Sequence, residues 1–212
     1  MAGGERKMRR AGFSLLELSV VLTILAVVVA GGLTLSSAKV QQDKLGNTYD
    51  EMKEIAQAIS IYVNEHGCMP YPAAGTAVPG GATYGREPAA NAECATTGGT
   101  GSAVLAGTVP FYSLGLPDEY GSDEWGYRYT YAVTDTAVEA ITSSYTGAIT
   151  VNDTGGNAIT TEGAFVLVSH GKTHEGARAA KTGTVAIACG STTKDSENCD
   201  ADATFVDADY ND

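Results

Sequence analysis

Between Phe13 and Leu35 the chain runs for 23 residues with a single charged side chain, Glu17. A helix needs roughly 20 apolar residues to cross a bilayer. Lipid tolerates only segments whose backbone groups are bonded internally, so this run is committed to a helix. An acid in such a place is expensive, about 2.5–3.5 kcal/mol at mid-membrane on translocon scales, and calls for a functional partner. Cleavage between Gly12 and Phe13 would create one, an α-ammonium. The helix does not stop where the apolar run stops. From Lys39 onward an amphipathic stripe continues through Val40, Leu45, Met52, Ile55, Ile59 and Val63, and no proline occurs before Pro70. Steps of three and four are the helical period, and Gly67 is a suitable stop. One helix from Phe13 to His66 is expected, roughly 80 Å long at 1.5 Å per residue. Gly31-Gly32 reads equally as a close-packing site in lipid or as a point of bending, since each glycine costs about 1 kcal/mol in a helix.

Arg6, Lys7, Arg9 and Arg10 precede the run and place the N-terminus on the cytoplasmic side by the positive-inside rule. An ordinary export signal is the competing reading, with Val28-Val29-Ala30 as its cleavage site and a membrane-anchored or secreted periplasmic binding domain as its product. The apolar run exceeds the 7–15 residues of a typical signal core, and Glu17 interrupts what should be uniformly apolar.

Formal net charge is −12, and without residues 1–12 the balance is 9 basic against 24 acidic side chains. A body this acidic repels nucleic acid and anionic lipid, so no nucleic-acid partner is expected. The four cysteines, Cys68, Cys94, Cys189 and Cys199, include no C-x-x-C pair and, behind an export segment, favour disulfides. Three connectivities are open. Sequence proximity favours Cys68–Cys94 and Cys189–Cys199, and free buried thiols are the alternative.

Arg9-Arg10-Ala11-Gly12-Phe13-Ser14-Leu15-Leu16-Glu17, with its apolar continuation, resembles the prepilin signal of type IV pilins and type II secretion pseudopilins. The resemblance implies removal of residues 1–12 by a prepilin peptidase that also N-methylates Phe13. It implies storage in the bacterial inner membrane as a single-pass protein, cytoplasmic N-terminus and periplasmic head. Assembly of the helices then follows on an inner-membrane platform, with copies of itself and other pilin-like subunits, into a filament in the periplasm or at the cell surface. Glu17 becomes the fifth residue of the mature chain and pairs with the amine of a neighbour. A helix rises about 6 Å over four residues, so a neighbour shifted by that amount brings its amine level with the carboxylate. Asp123-Glu124-Trp125-Gly126-Tyr127-Arg128-Tyr129 is similar to the Asp-x-Trp-Gly-x-x-Tyr stretch of major pseudopilins and related minor pilins, and Phe165–Gly171 to the strand and turn that follow it. Major pseudopilins bind calcium near such a turn. Here the turn continues Lys172-Thr173-His174-Glu175, so those carboxylates are largely absent.

The expected architecture is α+β and pilin-like: a leader over 1–12, a helix over 13–66 with 13–35 transmembrane, and a head over 67–212. The head is expected to open with a long loop over 67–107 and to lay a mostly antiparallel sheet on Met52, Ile55, Ile59 and Val63. Period-two alternation over Tyr127–Thr134 predicts a strand. Ala137–Thr142, Ala148–Val151, Phe165–Val168 and Thr184–Ala188 are further strand candidates, and Asp153–Asn157 is a turn. Trp125 is read as a core anchor.

No residue pattern supports catalysis. Ser169 and His170 are neighbours on a strand and point to opposite faces. His170 and His174 could chelate a metal only on a helix, so they read as solvated loop histidines. The acid clusters Asp118-Glu119 with Asp123-Glu124, and Asp195–Asp212, could offer oxygens to calcium, which takes six to eight. Asp118, Asp123, Glu124, Asp200 and Asp202 are the candidates, with a solvated acidic face as the alternative. No other cofactor is expected.

Overall fold

A computed structural model describes residues 15–89, 94, 103–190, 194–200 and 202–208, without the side chains of residues 27–37 and 194. The leader 1–12, Gly12 and Phe13 therefore lie outside the described residues. Two compact units divide between Asp43 and Lys44.

Helix α1 runs over Leu15–His66. It ends at Gly67, whose N–H closes the last bond to the Val63 carbonyl at 2.8 Å and whose φ of +77° turns the following chain out of the helix; such a left-handed residue is the usual helix terminator. Within the second unit the stripe predicted from the sequence is the buried one. Ile55 and Ile59 are fully buried, with Met52 and Val63 packed beside them. Burying one such side chain is worth about 1.5–3 kcal/mol.

That stripe covers a three-stranded antiparallel sheet, in the order β1 (Val104–Thr108), β2 (Thr130–Thr134), β5 (Phe165–Val168). Alternation sorts its side chains. Leu105, Tyr131, Val133, Phe165 and Leu167 join the cluster on α1, whereas Val104, Ala132, Val166 and Val168 face the other way. There they meet Ile149, Val151 and Phe205 of a second sheet, ordered β4 (Ala158–Gly163), β3 (Ile149–Asn152), β6 (Thr204–Val206). The head is thus helix, sheet, sheet, an α+β architecture rich in antiparallel pairs. The pairing β3·β6 is parallel. A short helix α2 (Lys194–Glu197) leads into β6.

Several expectations are corrected. The stretch read as loop over 67–107 contains most of β1, and its first part is bridged to that strand through Ala73 and Thr108. Ala137–Thr142 is no strand: Asp135–Val138 forms a 3₁₀ turn whose Ala137 and Val138 are buried. Its carbonyl at Ala137 accepts from Met69 N–H at 2.7 Å, so this segment is spent on holding the exit of α1. Thr184–Ala188 makes only single bridges, Val185 with Arg178 and Ile187 with Glu175. Tyr127 likewise makes one bridge, to Ala179, and the ladder begins at Thr130. The expected strand Ala148–Val151 becomes β3, whereas its partners β4 and β6 have no counterpart among the strands expected from the sequence.

Candidate assembly segment and head groove

The described opening of α1 presents only exposed side chains from Leu15 to Ala26, and Leu15, Leu16, Leu22 and Ile24 each expose more than half their surface. Soluble monomers rarely show a contiguous apolar surface of this kind; it marks contact with lipid or protein. The hydroxyls in it are satisfied within the helix, Ser19 Oγ donating to the Leu16 carbonyl at 2.9 Å and Thr23 Oγ1 to the Ser19 carbonyl at 2.5 Å. Glu17 sits in the first turn, where the helix dipole favours an acid. Among the described residues no helix is long and apolar enough to cross a membrane. The apolar run continues in the sequence to Leu35, through residues whose side chains lie outside the description.

In the head, the Asp-x-Trp-Gly stretch is a turn built around one carboxylate. Asp123 Oδ1 accepts the N–H groups of Trp125 and Tyr127, each at 3.0 Å, and Oδ2 accepts Ser169 Oγ at 2.8 Å. Gly126 closes the turn onto the Asp123 carbonyl at 2.9 Å with φ of +83°, which explains the glycine. The turn is clamped to α1. Lys44 Nζ donates to the Glu124 carbonyl at 2.8 Å and lies 5.7 Å over the Trp125 ring, and Asn47 Nδ2 donates to Glu124 Oε1 at 3.2 Å. Tyr129 donates to Glu51 at 2.5 Å, and Tyr120 donates to Glu54. Burial raises the pKa values of Asp123 and Glu51; the Glu54 hydrogen bond pushes the Tyr120 phenol up to about 12. Trp125 is half-buried and lines a groove, so it is not the core anchor that was expected.

That groove has a volume of about 630 Å³. Tyr49 and Met52 of α1 form one wall, the consecutive residues Val166, Leu167 and Val168 its base, and Phe205 and Val206 the other wall. His170 also lines it. This histidine is buried rather than solvated, its Nε2 sits 2.8 Å from Thr130 Oγ1, and burial lowers its pKa. Ser169 is committed to Asp123, so Ser169 and His170 form no nucleophile–base pair. His174 stacks on Tyr127 at 4.5 Å and shares no metal geometry with His170.

The calcium candidates do not converge. Asp123 is buried with both oxygens engaged, and Glu124 reaches Asn47, while Asp118 is exposed in the 3₁₀ turn Asp118–Gly121. Asp200 and Asp202 do come together, with Glu197, their ligand oxygens within 4.8 Å of one another. Asp202 Oδ1 already accepts Thr204 N–H at 2.6 Å. Three carboxylates fall short of the six to eight oxygens calcium takes, and they are mostly exposed, so this set does not fit a resident calcium ion.

The cysteines are paired Cys68–Cys94 and Cys189–Cys199, with Cα separations of 5.7 and 5.8 Å. The second bridge closes the loop that carries α2. Just beyond it Asn198 works as a surrogate strand: its Oδ1 accepts Val206 N–H at 2.8 Å and its Nδ2 donates to the Val206 carbonyl at 2.9 Å. Glu87 has a comparable structural role, accepting Tyr71 N–H at 2.6 Å and the Tyr62 hydroxyl at 3.0 Å. Sequence reasoning found neither residue; the one signal for Asn198 was its place beside Cys199.

Residues 7–33 match the prokaryotic N-terminal methylation motif, the signature of type IV pilin and pseudopilin prepilins. The chain is pilin-like in this segment, and the motif implies assembly with other pilin subunits after processing by a prepilin peptidase. No curated protein and no solved structure matches the chain.

Proposed function

We propose that this chain is a structural subunit, a pseudopilin or a major or minor pilin, of a type II secretion or type IV pilus filament. The observation that carries the reading is the methylation motif over residues 7–33, together with the exposed and mostly apolar opening of α1 over residues 15–26. In this reading prepilin peptidase cuts between Gly12 and Phe13 and methylates the new amine. A methylated amine stays protonated, so its attraction to a carboxylate survives. The mature chain rests in the inner membrane over residues 13–35, N-terminus cytoplasmic and head periplasmic, until an assembly platform adds it to the filament. There Glu17 meets the amine of a neighbouring subunit, which offsets the cost of holding an acid in an apolar layer.

The test replaces Glu17. Glu17→Ala is expected to insert in the membrane as well as wild type, or better, and to be depleted from sheared filaments. Incorporation at the wild-type level would refute the pairing.

A further inference from the structure

Toward its C-terminal end α1 is gripped by apolar packing, through the fully buried Ile55 and Ile59. The stretch from Lys44 to Glu51 is held differently. Only Thr48 is buried there, and polar contacts tie the stretch to the segment 118–129. Glu124 makes three of them. Its carbonyl accepts Lys44 Nζ at 2.8 Å, its Oε1 accepts Asn47 Nδ2 at 3.2 Å, and its N–H donates to Thr48 Oγ1 at 3.4 Å. Glu51 adds another, accepting the Tyr129 hydroxyl at 2.5 Å.

The charges gathered at this seat are mostly of one sign. Glu51 feels Glu124 and Asp123 of the turn and Glu119 of the 3₁₀ turn. Glu54, one helical turn further on, accepts Tyr120. Of the cations, Lys44 is engaged by the Glu124 carbonyl and the Trp125 ring, and Lys53 lies over Tyr49. Burial and repulsion between like charges both disfavour an ionised carboxylate. Burial, followed by the neighbouring acids, raises the Glu51 pKa against the Tyr129 hydrogen bond, and burial raises that of Asp123 against its own donors. The contacts do not require the charges. Burial raises the Tyr129 phenol, so it stays a donor, and a protonated Glu51 still offers a carbonyl oxygen. Ionisation therefore adds repulsion and a desolvation cost without adding a bond.

We propose that the seat of segment 118–129 on α1 is an acid-tightened clasp, which grips residues 44–51 when Glu51 and Asp123 hold protons and eases as those protons leave. A group that binds its proton more tightly folded than unfolded stabilises fully below its ordinary value. The grip is thus complete below 4.5 for Glu51 and 3.8 for Asp123, and it is lost as pH rises through their raised folded values. Ile55 and Ile59 hold without charge, so the easing falls on the end of the contact that lacks apolar burial. The clasp is separate from the helix surface invoked for filament growth and does not depend on that reading.

The test uses the full chain in detergent micelles with its disulfides oxidised. Amide exchange at Thr48, Tyr49 and Glu51 is read by NMR and divided by the intrinsic rate at each pH. Protection at these amides is expected to fall about threefold or more between about pH 4 and pH 7.5. Glu51→Gln keeps an oxygen for Tyr129 and should reduce the fall. Glu51→Gln combined with Asp123→Asn should remove most of it. Glu162→Gln removes an exposed acid of β4 and should leave the fall as in wild type. A flat wild-type profile overturns the proposal, and so does a fall of wild-type size in the double variant. Flattening by Glu162→Gln also overturns it, since the effect would then be a general relief of negative charge. Should the double variant fail to fold, the carboxyl carbon of Glu51 in the wild type decides. It is expected to titrate above 4.5, and a midpoint at or below that value overturns the clasp. None of these failures would alter the start of the mature chain, which tests the filament reading separately.

Discussion

Removing the Asp123 side chain should cost the head far more than neutralising it. In Asp123→Ala, the N–H groups of Trp125 and Tyr127 and the Ser169 hydroxyl all lose their acceptor. Bonds to a charged group contribute about 1.5–3 kcal/mol each, part of which returns as relief from burying the charge, so a net loss of about 3–4 kcal/mol is expected. Asp123→Asn keeps an oxygen for the two N–H groups and an amide that can donate to Ser169 Oγ, and should lose about 1 kcal/mol or less. The single tryptophan, Trp125, lies in this turn and reports unfolding directly, so urea titration of the full chain followed by fluorescence is the assay. The pH dependence has a definite sign. Burial raises the Asp123 pKa above its ordinary 3.8, so the folded chain binds this proton more tightly than the unfolded chain. The stability linked to the group is complete below 3.8 and is lost as pH rises through the raised folded value. The advantage of wild type over Asp123→Asn should therefore shrink from pH 4 to neutrality. Equal losses in the Ala and Asn variants, or an advantage that grows with pH, would refute the account of the turn.

Asn198→Ala should expose the outward groups of Val206, cost about 1–2 kcal/mol, and speed amide exchange at Val206 more than at Val151; unchanged exchange would contradict the surrogate-strand role. At Gly176 the backbone has φ of +72° and an added Cβ would collide with the Cβ of Cys199. Gly176→Ala should accordingly destabilise by about 2 kcal/mol or more in the same urea titration, and a neutral result would show that the loop yields. Replacing Cys189 and Cys199 together by serine should lower stability by about 2–4 kcal/mol and loosen β6 before the sheet on α1, read as earlier exchange at Phe205 than at Ala132.

What was legible in the sequence was whatever repeats locally. The stripe Met52, Ile55, Ile59 and Val63 has the helical period and packs the core, and Phe165–Val168 is a strand with the bounds its apolar run suggests. Cysteine proximity points to the two pairs found in the structure. Beyond β3 the second sheet was illegible for a physical reason. β6 is three residues in an acidic tail and is a strand because Phe205 fills the far face of the first sheet and Asn198 closes its edge. The 3₁₀ turn at Asp135–Val138 replaces a strand of good propensity because its carbonyl is needed by Met69. Asp123 looked like a metal ligand because a sequence does not show that its oxygens are filled by Trp125, Tyr127 and Ser169. The groove along β5 joins residues more than a hundred positions apart, Tyr49 to Phe205, and no local pattern announces it.

The central claim, a processed subunit that assembles through its first helix, is tested most directly by the intact mass of the protein recovered from cell membranes. A chain that begins at Phe13 and carries one added methyl on its terminal amine is the predicted result. A chain that retains residues 1–12, or one that begins at Gly31, would contradict it.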